Sequence, residues 1–151
     1  YDYPATLFTY TDLIVGSSVT LNWDQVKEMY DAGIDVQCHS KTHRDMGTRQ
    51  AGESFDQYYK SIEQEIAASN DKIFEKIQYR PNFFAYPYGA YNHFVVAMLE
   101  KEGFDGAVTV ASEPVAFHSH PFRLGRTMIL GNNGMEQFKK ALVFFKEEPL
   151  Q

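Results

Sequence analysis

Short runs rich in β-branched and aromatic residues alternate along the chain with segments whose apolar residues recur at helical spacing. The predicted strands are 5–14, 34–39, 82–87, 106–110 and 122–129. The predicted helices run from Asn22 to Gly33, from Ser54 to Ile77 and from Asn92 to Gly103, and a closing helix carries Met135, Phe138, Leu142 and Phe145. Strands that alternate with helices indicate a mostly parallel sheet covered by helices. We therefore expect an α/β fold of about five strands, too few for a complete eight-stranded barrel.

Helix boundaries are marked by capping residues. Asn22 with Gln25 three positions later is typical of a capping box, and Asn92 is expected to cap the helix that follows it. The longest predicted helix carries an apolar stripe of Phe55, Tyr58, Tyr59, Ile62, Ile66, Ile73 and Ile77. These signals predict where the helices begin and which face of the longest one is buried.

Composition limits the classes of function. The chain has 151 residues, enough for one domain with a sizeable core. Its net charge of −6 argues against a nucleic-acid partner, because no basic patch could neutralise phosphates. No apolar run approaches the length of a membrane span. The single cysteine, Cys38, excludes an internal disulfide.

Two histidines follow the second predicted strand, in the stretch "DVQCHSKTHRDM". In parallel α/β folds, chemistry gathers at the carboxyl ends of strands. At a spacing of four residues in a tight turn, His39 and His43 can both face one metal ion. Ser40 and Thr42 are expected to fix the ring tautomers by hydrogen bonds. The alternative is a solvated or capping pair of histidines.

A catalytic metal site usually has a third protein ligand. Asp45 is the nearest carboxylate, and we interpret it as a residue that caps its own loop. No second cluster of ligand residues is visible in the sequence. We therefore expect that the third ligand is not in this chain.

The segment "FFAYPYGAYN" (83–92) places Pro-Tyr-Gly at the end of a predicted strand. Such an abrupt turn can leave a backbone N–H pointing into a site, where it could stabilise an oxyanion. The alternative is a plain connection between a strand and the helix that Asn92 caps.

Four segments, "YPATLFTYTDLI", "LNWDQVKEMYDAGIDVQCHSKTHRDM", "FFAYPYGAYN" and "PFRLGRTMI", together resemble the polysaccharide deacetylases of carbohydrate esterase family 4, the NodB-homology domain. The branch that acts on poly-N-acetylglucosamine is the most similar. The resemblance implies one domain over residues 1–151. It also implies an incomplete, distorted (β/α) barrel, truncated at its N-terminus and lacking the first strand and helix.

The resemblance also implies a metal-dependent hydrolase that removes N-acetyl groups from an N-acetylated polysaccharide. It makes His39 and His43 the ligands of a divalent metal, most suitably Zn, with Co and Ni as alternatives. The backbone N–H of Tyr88 is then the oxyanion donor, and Tyr86 and Pro87 are assigned to substrate binding through the same turn. By the same resemblance we expect the protein in the periplasm, the cell envelope or the exterior.

Three departures from the family pattern bear on activity. The Thr-Phe-Asp-Asp motif, which supplies the general base and the third ligand, does not occur here. The family's common arginine before Pro-Tyr is replaced by Ala85, and Arg80 lies too far back to substitute for it. The late Leu-x-His is also absent, which leaves His118 or His120 as candidates for the general acid.

We therefore expect the isolated chain to bind metal weakly and to be inactive or nearly so. The expected partners are the polysaccharide and a segment that completes the site, either the missing N-terminal segment or a second copy at the exposed sheet edge. Two alternatives remain open. One is a non-catalytic carbohydrate-binding or partner-binding domain on the same scaffold, and the other is an amidohydrolase of small molecules.

Overall fold

The computed structural model describes residues 3–111 and 119–143, and its strands form one parallel sheet. The strands are β1 (Thr6–Thr9), β2 (Asp35–Cys38), β3 (Phe83–Ala85) and β4 (Gly106–Val108), in that order across the sheet. Each strand pairs in parallel with the next. The prediction of an α/β fold with an incomplete (β/α) barrel is therefore confirmed, with four described strands in place of about five.

Helices connect the strands. They are α1 (Trp23–Asp31), α2 (Phe55–Glu63), α3 (Ser69–Ile77), α4 (His93–Lys101) and α5 (Met135–Ala141). The first lies between β1 and β2, the next two lie between β2 and β3, and the fourth lies between β3 and β4. Helix α1 packs against α3 and β2, and α2 packs against α4. None of the described helices is long and apolar enough to cross a bilayer.

The predicted helix starts are confirmed by their caps. Asn22 and Gln25 form the reciprocal capping box, with both hydrogen bonds at 2.9 Å. Ser54 and Gln57 form a second box at the start of α2. The side chain of Asn92 caps α4. Each cap satisfies backbone N–H groups that have no partner within the helix.

The predicted helix from Ser54 to Ile77 is continuous, but it contains a π-helical turn, Gln64–Ala68, between α2 and α3. The Ser69 hydroxyl lies 2.6 Å from the carbonyl oxygen of Glu65 and 2.8 Å from that of Ile66, so the turn's carbonyls have a partner. The apolar stripe is buried as predicted except at Tyr59, which is partly buried, and at Phe55, which is 56% exposed. The spacing of apolar residues did not predict the π-turn.

The predicted strand 5–14 is shorter in the structure, because β1 ends at Thr9. The next residues form a 3-10 turn, Thr11–Leu13. The backbone amides of Thr11 and Asp12 donate to the carbonyls of Ser40 and Lys41, at 3.2 and 3.0 Å. The chain therefore leaves the sheet to bind the loop that follows β2.

The predicted strand 122–129 is wrong. Pro121–Arg123 is a 3-10 turn, and Leu124 makes one isolated bridge to Val108. Backbone hydrogen bonds join Leu124 to Ala107 and Thr109, and the Arg126 N–H donates to the Ala111 carbonyl, so pairing beside β4 is limited to a few residues. The predicted strands 82–87 and 106–110 are present but shorten to β3 and β4.

The core lies between the sheet and the helices on it. Its fully buried members include Val26, Val36, Cys38, Met46, Ile62, Ile66, Ile73, Phe84, Tyr86, Val95, Leu99 and Ala107. The closing helix is present as α5, but none of its residues is buried. Phe145, predicted to lie on it, is outside the described residues.

Candidate active site

His39 and His43 lie together at the carboxyl edge of the sheet. His39 follows β2 directly, and its backbone N–H donates to the Thr9 carbonyl at 2.8 Å, which extends the pairing with β1. The two imidazole rings are nearly perpendicular, with centroids 4.7 Å apart. The structure therefore brings together the two side chains that the sequence pairs as metal ligands.

One ring nitrogen of His39 makes a hydrogen bond within the protein. Its Nδ1 lies 2.7 Å from the carbonyl oxygen of Ala85, and a carbonyl can only accept, so Nδ1 carries the proton. Burial lowers the pKa of His39 below its ordinary value, and the hydrogen bond to Ala85 opposes this only in part. The ring is therefore neutral at pH 7, and Nε2 keeps the lone pair that a metal ligand needs.

The predicted role of Ser40 and Thr42 in fixing the ring tautomers is wrong. The Ser40 hydroxyl accepts from the backbone N–H of His43 at 3.0 Å, and the Thr42 hydroxyl donates to Glu65 at 2.6 Å. Neither side chain reaches a ring nitrogen in these bonds. The carbonyl of Ala85 fixes the tautomer of His39 instead.

We call residues 39–47 the histidine loop. Ser40 and His43 have φ values of 71° and 66°, in the left-handed region that non-glycine residues rarely adopt. Each such residue costs on the order of 1–3 kcal/mol and persists only where its surroundings enforce it. Ser40 is fully buried, which is consistent with an enforced conformation.

An ion pair holds the middle of the histidine loop to the start of α2. The guanidinium of Arg44 binds both carboxylate oxygens of Glu53, at 3.0 and 3.1 Å, and also donates to the Ser61 hydroxyl. The hydrogen bonds to Arg44 lower the pKa of Glu53, and the same contact raises the pKa of Arg44. The bidentate geometry fixes the loop's direction as well as its position.

The end of the histidine loop is held by α2 and α4. The Tyr58 hydroxyl donates to the Met46 carbonyl at 2.6 Å, and the Asn92 amide donates to the Gly47 carbonyl at 2.9 Å. Asp45 accepts from the backbone N–H of Gly47 at 2.8 Å. The interpretation of Asp45 as a loop-capping residue is therefore confirmed.

The second predicted motif is a 3-10 turn after β3, which we call the tyrosine turn (86–89). Tyr88 has a φ of 58°, and its ring centroid is 4.7 Å from that of His43. The amides of Gly89 and Ala90 donate back to the carbonyls of Tyr86 and Pro87. Across residues 3–111 and 119–143, no hydrogen bond uses the Tyr88 N–H. The Tyr88 ring thus lies beside His43, and the Tyr88 N–H is a donor without an acceptor among the described residues.

Tyr86 and Pro87 do not face the site. Both are fully buried, and the Tyr86 hydroxyl donates to the carbonyl of Phe122 at 3.1 Å while its ring stacks on Tyr91. Burial raises the pKa of Tyr86 above its ordinary value. Their assignment to substrate binding stays a prediction, and because both are buried it would act through the shape of the turn. They form the support of the tyrosine turn.

Two further residues near the histidines were not identified from the sequence. The ring of Tyr10, just after β1, lies 5.0 Å from that of His43 and 6.4 Å from that of His39. The Arg126 side chain donates to the Thr109 carbonyl at 2.9 Å, and its charge contributes to the lowered pKa of His39. Their distance from "HSKTH" along the chain hid both from motif reasoning.

A shallow, mainly apolar cleft of about 280 Å³ opens beside the histidines. It is lined by β1, by the turn that follows, by residues 19–21 and by the two imidazoles. Tyr10 lies on its wall. The histidines are therefore accessible from one side, next to the edge strand of the sheet.

A third ligand is not present in the part of the chain that the structure describes. No group of three His, Cys, Asp or Glu residues there could hold a metal ion. The His120 ring accepts from the Phe122 N–H and caps the turn at Pro121, and His118 lies outside the described residues. Imidazole nitrogens suit zinc, cobalt or nickel, and His39 and His43 could supply two ligands of a larger set.

The sequence and the fold are similar to those of known deacetylases. A family model described as polysaccharide deacetylase matches residues 1–107. The Streptococcus pyogenes deacetylase PplD, solved with acetate, is 25% identical with a TM-score of 0.79, over 93% of this chain and 59% of that one. A de-N-acetylase from Aggregatibacter actinomycetemcomitans is 20% identical with a TM-score of 0.79, over 94% and 66%.

IcaB from Ammonifex degensii has the same fold, with a TM-score of 0.73 at 19% identity. The match covers 91% of this chain and 60% of IcaB. The chain thus spans about three fifths of the solved proteins that it resembles. No curated protein sequence matches it significantly.

Proposed function

Because the chain belongs to the polysaccharide deacetylase family, we propose that it carries part of a metal-dependent site that hydrolyses N-acetyl groups of an N-acetylated polysaccharide. One observation carries the proposal. His39 and His43, with ring centroids 4.7 Å apart, lie at the carboxyl edge of the sheet against Tyr88. We treat residues 1–151 as one deacetylase domain.

His39 and His43 are the residues that would hold the metal, most suitably zinc. A bound divalent cation supplies Lewis acidity toward the acetamide carbonyl oxygen. The hydrogen bond from His39 Nδ1 to Ala85 orients the ring, so that Nε2 is the free nitrogen. His43 is directed by its left-handed backbone and by the bond from its N–H to Ser40.

The Tyr88 N–H is the proposed oxyanion donor. Hydrolysis of an amide places negative charge on the carbonyl oxygen in the transition state, and a fixed N–H beside that oxygen stabilises it. Tyr88 adjoins His43, and its N–H makes no other hydrogen bond among the described residues. The buried support from Tyr86 and Pro87 holds this donor in place.

The proposed substrate is a polymer of N-acetylglucosamine. The rings of Tyr10 and Tyr88 flank the histidines, and Tyr88 is 67% exposed. Aromatic rings of this kind present an apolar face together with a polar tip, which suits the faces of a sugar. The structure of the S. pyogenes deacetylase holds acetate, and acetate is the acid that this reaction would release. We place the substrate in the poly-N-acetylglucosamine class, and the protein outside the cytoplasm.

We further propose that residues outside the described ones complete the site. A general base to take the proton from water and a third metal ligand are both needed. No third possible metal ligand is grouped with His39 and His43 in residues 3–111 and 119–143, and we assign the general base to the same further residues. The leaving amine also needs a proton donor. The 151-residue chain alone is therefore expected to be inactive or nearly so.

The test is a deacetylation assay on penta-N-acetylchitopentaose with added zinc, cobalt or nickel. The amount of acetate released is measured. The native gene product and the 151-residue chain are assayed in separate, parallel reactions. The His39→Ala and His43→Ala variants of each are assayed in the same way. We expect acetate from the native product only, and none from its histidine variants. Cys38→Ala is the matched control beside His39.

Each outcome has a separate meaning. Acetate release by the 151-residue chain itself would overturn the proposed need for further residues. A native product that releases no acetate from any N-acetylated polymer, yet binds the polymer, would overturn the enzyme in favour of a carbohydrate-binding domain. Activity that survives in the histidine variants would overturn the metal assignment.

A further inference from the structure

A buried carboxylate lies directly behind the histidine loop. Glu65 is only 4% exposed, and it projects from the π-turn between α2 and α3. One carboxylate oxygen accepts from the backbone amides of Lys41 and Thr42 at 2.9 and 2.8 Å, and the other accepts from the Thr42 hydroxyl at 2.6 Å. All three donors come from the segment that separates the two histidines.

These bonds fix the spacer between His39 and His43 from one side. The backbone of the spacer is bound from the other side as well, because the Ser40 and Lys41 carbonyls accept from the turn after β1. Two side chains that converge on one point need a rigid connection, since each free rotation of the backbone would carry one ring away from the other. Glu65 holds one side of this spacer through three hydrogen bonds.

The π-turn explains how a carboxylate reaches this place. A π-turn contains one more residue than an α-helical turn, which changes the angular position of the residues beside it. Here Glu65 and Ile66 are adjacent in sequence, and both are buried. The Ser69 hydroxyl serves the carbonyls of the same two residues. Such turns occur frequently at functional sites.

Burying a carboxylate costs free energy that a purely structural contact does not require. Burial of an ionised group is unfavourable unless hydrogen bonds compensate it, and a buried apolar residue would fill the same space without that cost. Bonds from N–H groups to a charged acceptor are stronger than bonds to a neutral one. The observed arrangement therefore favours firm placement of the loop.

We propose that Glu65 is a positioning residue for the metal site, holding the spacer so that His39 and His43 face a common point. It does not touch the metal or the substrate. The inference rests on the proposed function, which it deepens. It predicts that metal affinity depends on Glu65 beyond any effect of Glu65 on stability.

The experiment titrates zinc directly into the 151-residue chain and its variants by calorimetry, at protein concentrations high enough to measure the weak binding expected of two ligands. Glu65→Ala removes all three bonds, and we expect about 10–100-fold weaker binding, as for other residues that orient metal ligands. Glu65→Gln keeps the shape and can still accept from both amides. We expect it to recover most of the affinity, to within about threefold of the wild type.

Ile66→Ala is the matched control in the same π-turn. Ile66 is fully buried and faces the core, so its truncation lowers the melting temperature. We expect its zinc affinity to stay within about twofold of the wild type, because it makes none of the bonds to the spacer. Loss of affinity that parallels loss of stability in both variants would overturn the proposal, as would wild-type affinity in Glu65→Ala.

If Glu65→Ala does not fold, Thr42→Val decides. Thr42 is exposed, and the change removes only the hydroxyl bond to Glu65. We expect about two- to fivefold weaker zinc binding, and unchanged affinity overturns the proposal. Failure of the proposed function looks different: the wild type then binds no zinc, or binds it as well after His39→Ala.

Discussion

The histidine loop and the tyrosine turn follow neighbouring strands, yet they are held in different ways. The histidine loop is bound by side chains from other segments: Glu65 in the π-turn, Glu53 before α2, which pairs with Arg44 of the loop, and Asn92 at the start of α4. The tyrosine turn is held by the buried Tyr86 and Pro87 and by its own backbone bonds. Both contain non-glycine residues with positive φ.

The difference matches what each segment contributes. An imidazole ligand sits at the end of a rotatable side chain, so its placement needs both a fixed backbone and a bond to the ring. A backbone N–H has no such freedom, and its direction is set once the turn is formed. Side-chain ligands therefore need external anchors, whereas a backbone donor needs only packing beneath it.

The largest expected effect is the loss of zinc binding when one histidine side chain of the histidine loop is removed. His39→Ala should abolish zinc binding, because one of the two proposed ligands is lost. Cys38→Ala is the adjacent control: the Cys38 side chain is fully buried, and burial raises the pKa of its thiol to about 11, so it is no ligand at neutral pH. Elemental analysis measures zinc per chain. Equal zinc in the two variants would count against the assignment.

The next largest effect is a loss of stability when the close packing at the tyrosine turn is disturbed. A Cβ at Gly89 would lie 2.5 Å from Val110 Cγ2 and 2.9 Å from the Val110 nitrogen, at a φ of +69°. Gly89→Ala should therefore lower the free energy of unfolding by about 2–3 kcal/mol, measured by urea denaturation.

Gly52→Ala is the matched control for Gly89→Ala. Gly52 also has a positive φ, +79°, but nothing lies within 4 Å of its Cβ position. Only the backbone conformation opposes this change, so a loss of about 1 kcal/mol is expected. If the two variants lost equal stability, close packing under the tyrosine turn would not be what holds it.

A smaller effect separates hydrogen bonding from backbone strain in the histidine loop. Ser40→Ala removes the acceptor for the His43 N–H and should cost about 1–2 kcal/mol of unfolding free energy. Ser40→Gly removes the same acceptor, but it relieves the φ of 71° and should cost less. Thermal melting of both variants checks the order. The reverse order would mean that the positive φ is not strained.

The smallest effect is expected at the exposed side of the tyrosine turn. Tyr88→Ala keeps the backbone N–H and removes a ring that is 67% exposed. The change in unfolding free energy should stay within about 0.5 kcal/mol, and zinc affinity should be unchanged. A loss above about 1 kcal/mol would show that the ring's contact with His43 supports the histidine loop.

Local signals in the sequence predicted much of the fold and the central pair of the site. The caps at Asn22 and Asn92 could be predicted because a capping bond spans only three residues. The pairing of His39 and His43 could be predicted because the two residues are close in sequence and follow a buried strand. The strand predicted at 122–129 was wrong, because strand pairing depends on a neighbour that composition does not identify.

The sequence by itself determined the order of strands and helices, the helix starts and the two imidazoles, since each depends on residues within one or two turns of chain. Only the tertiary structure decided that Glu65 anchors a loop more than 20 residues away, that Tyr86 is buried and that Tyr10 lies beside His43. Those contacts join distant segments, and they form only when the packed sheet and helices bring the segments together.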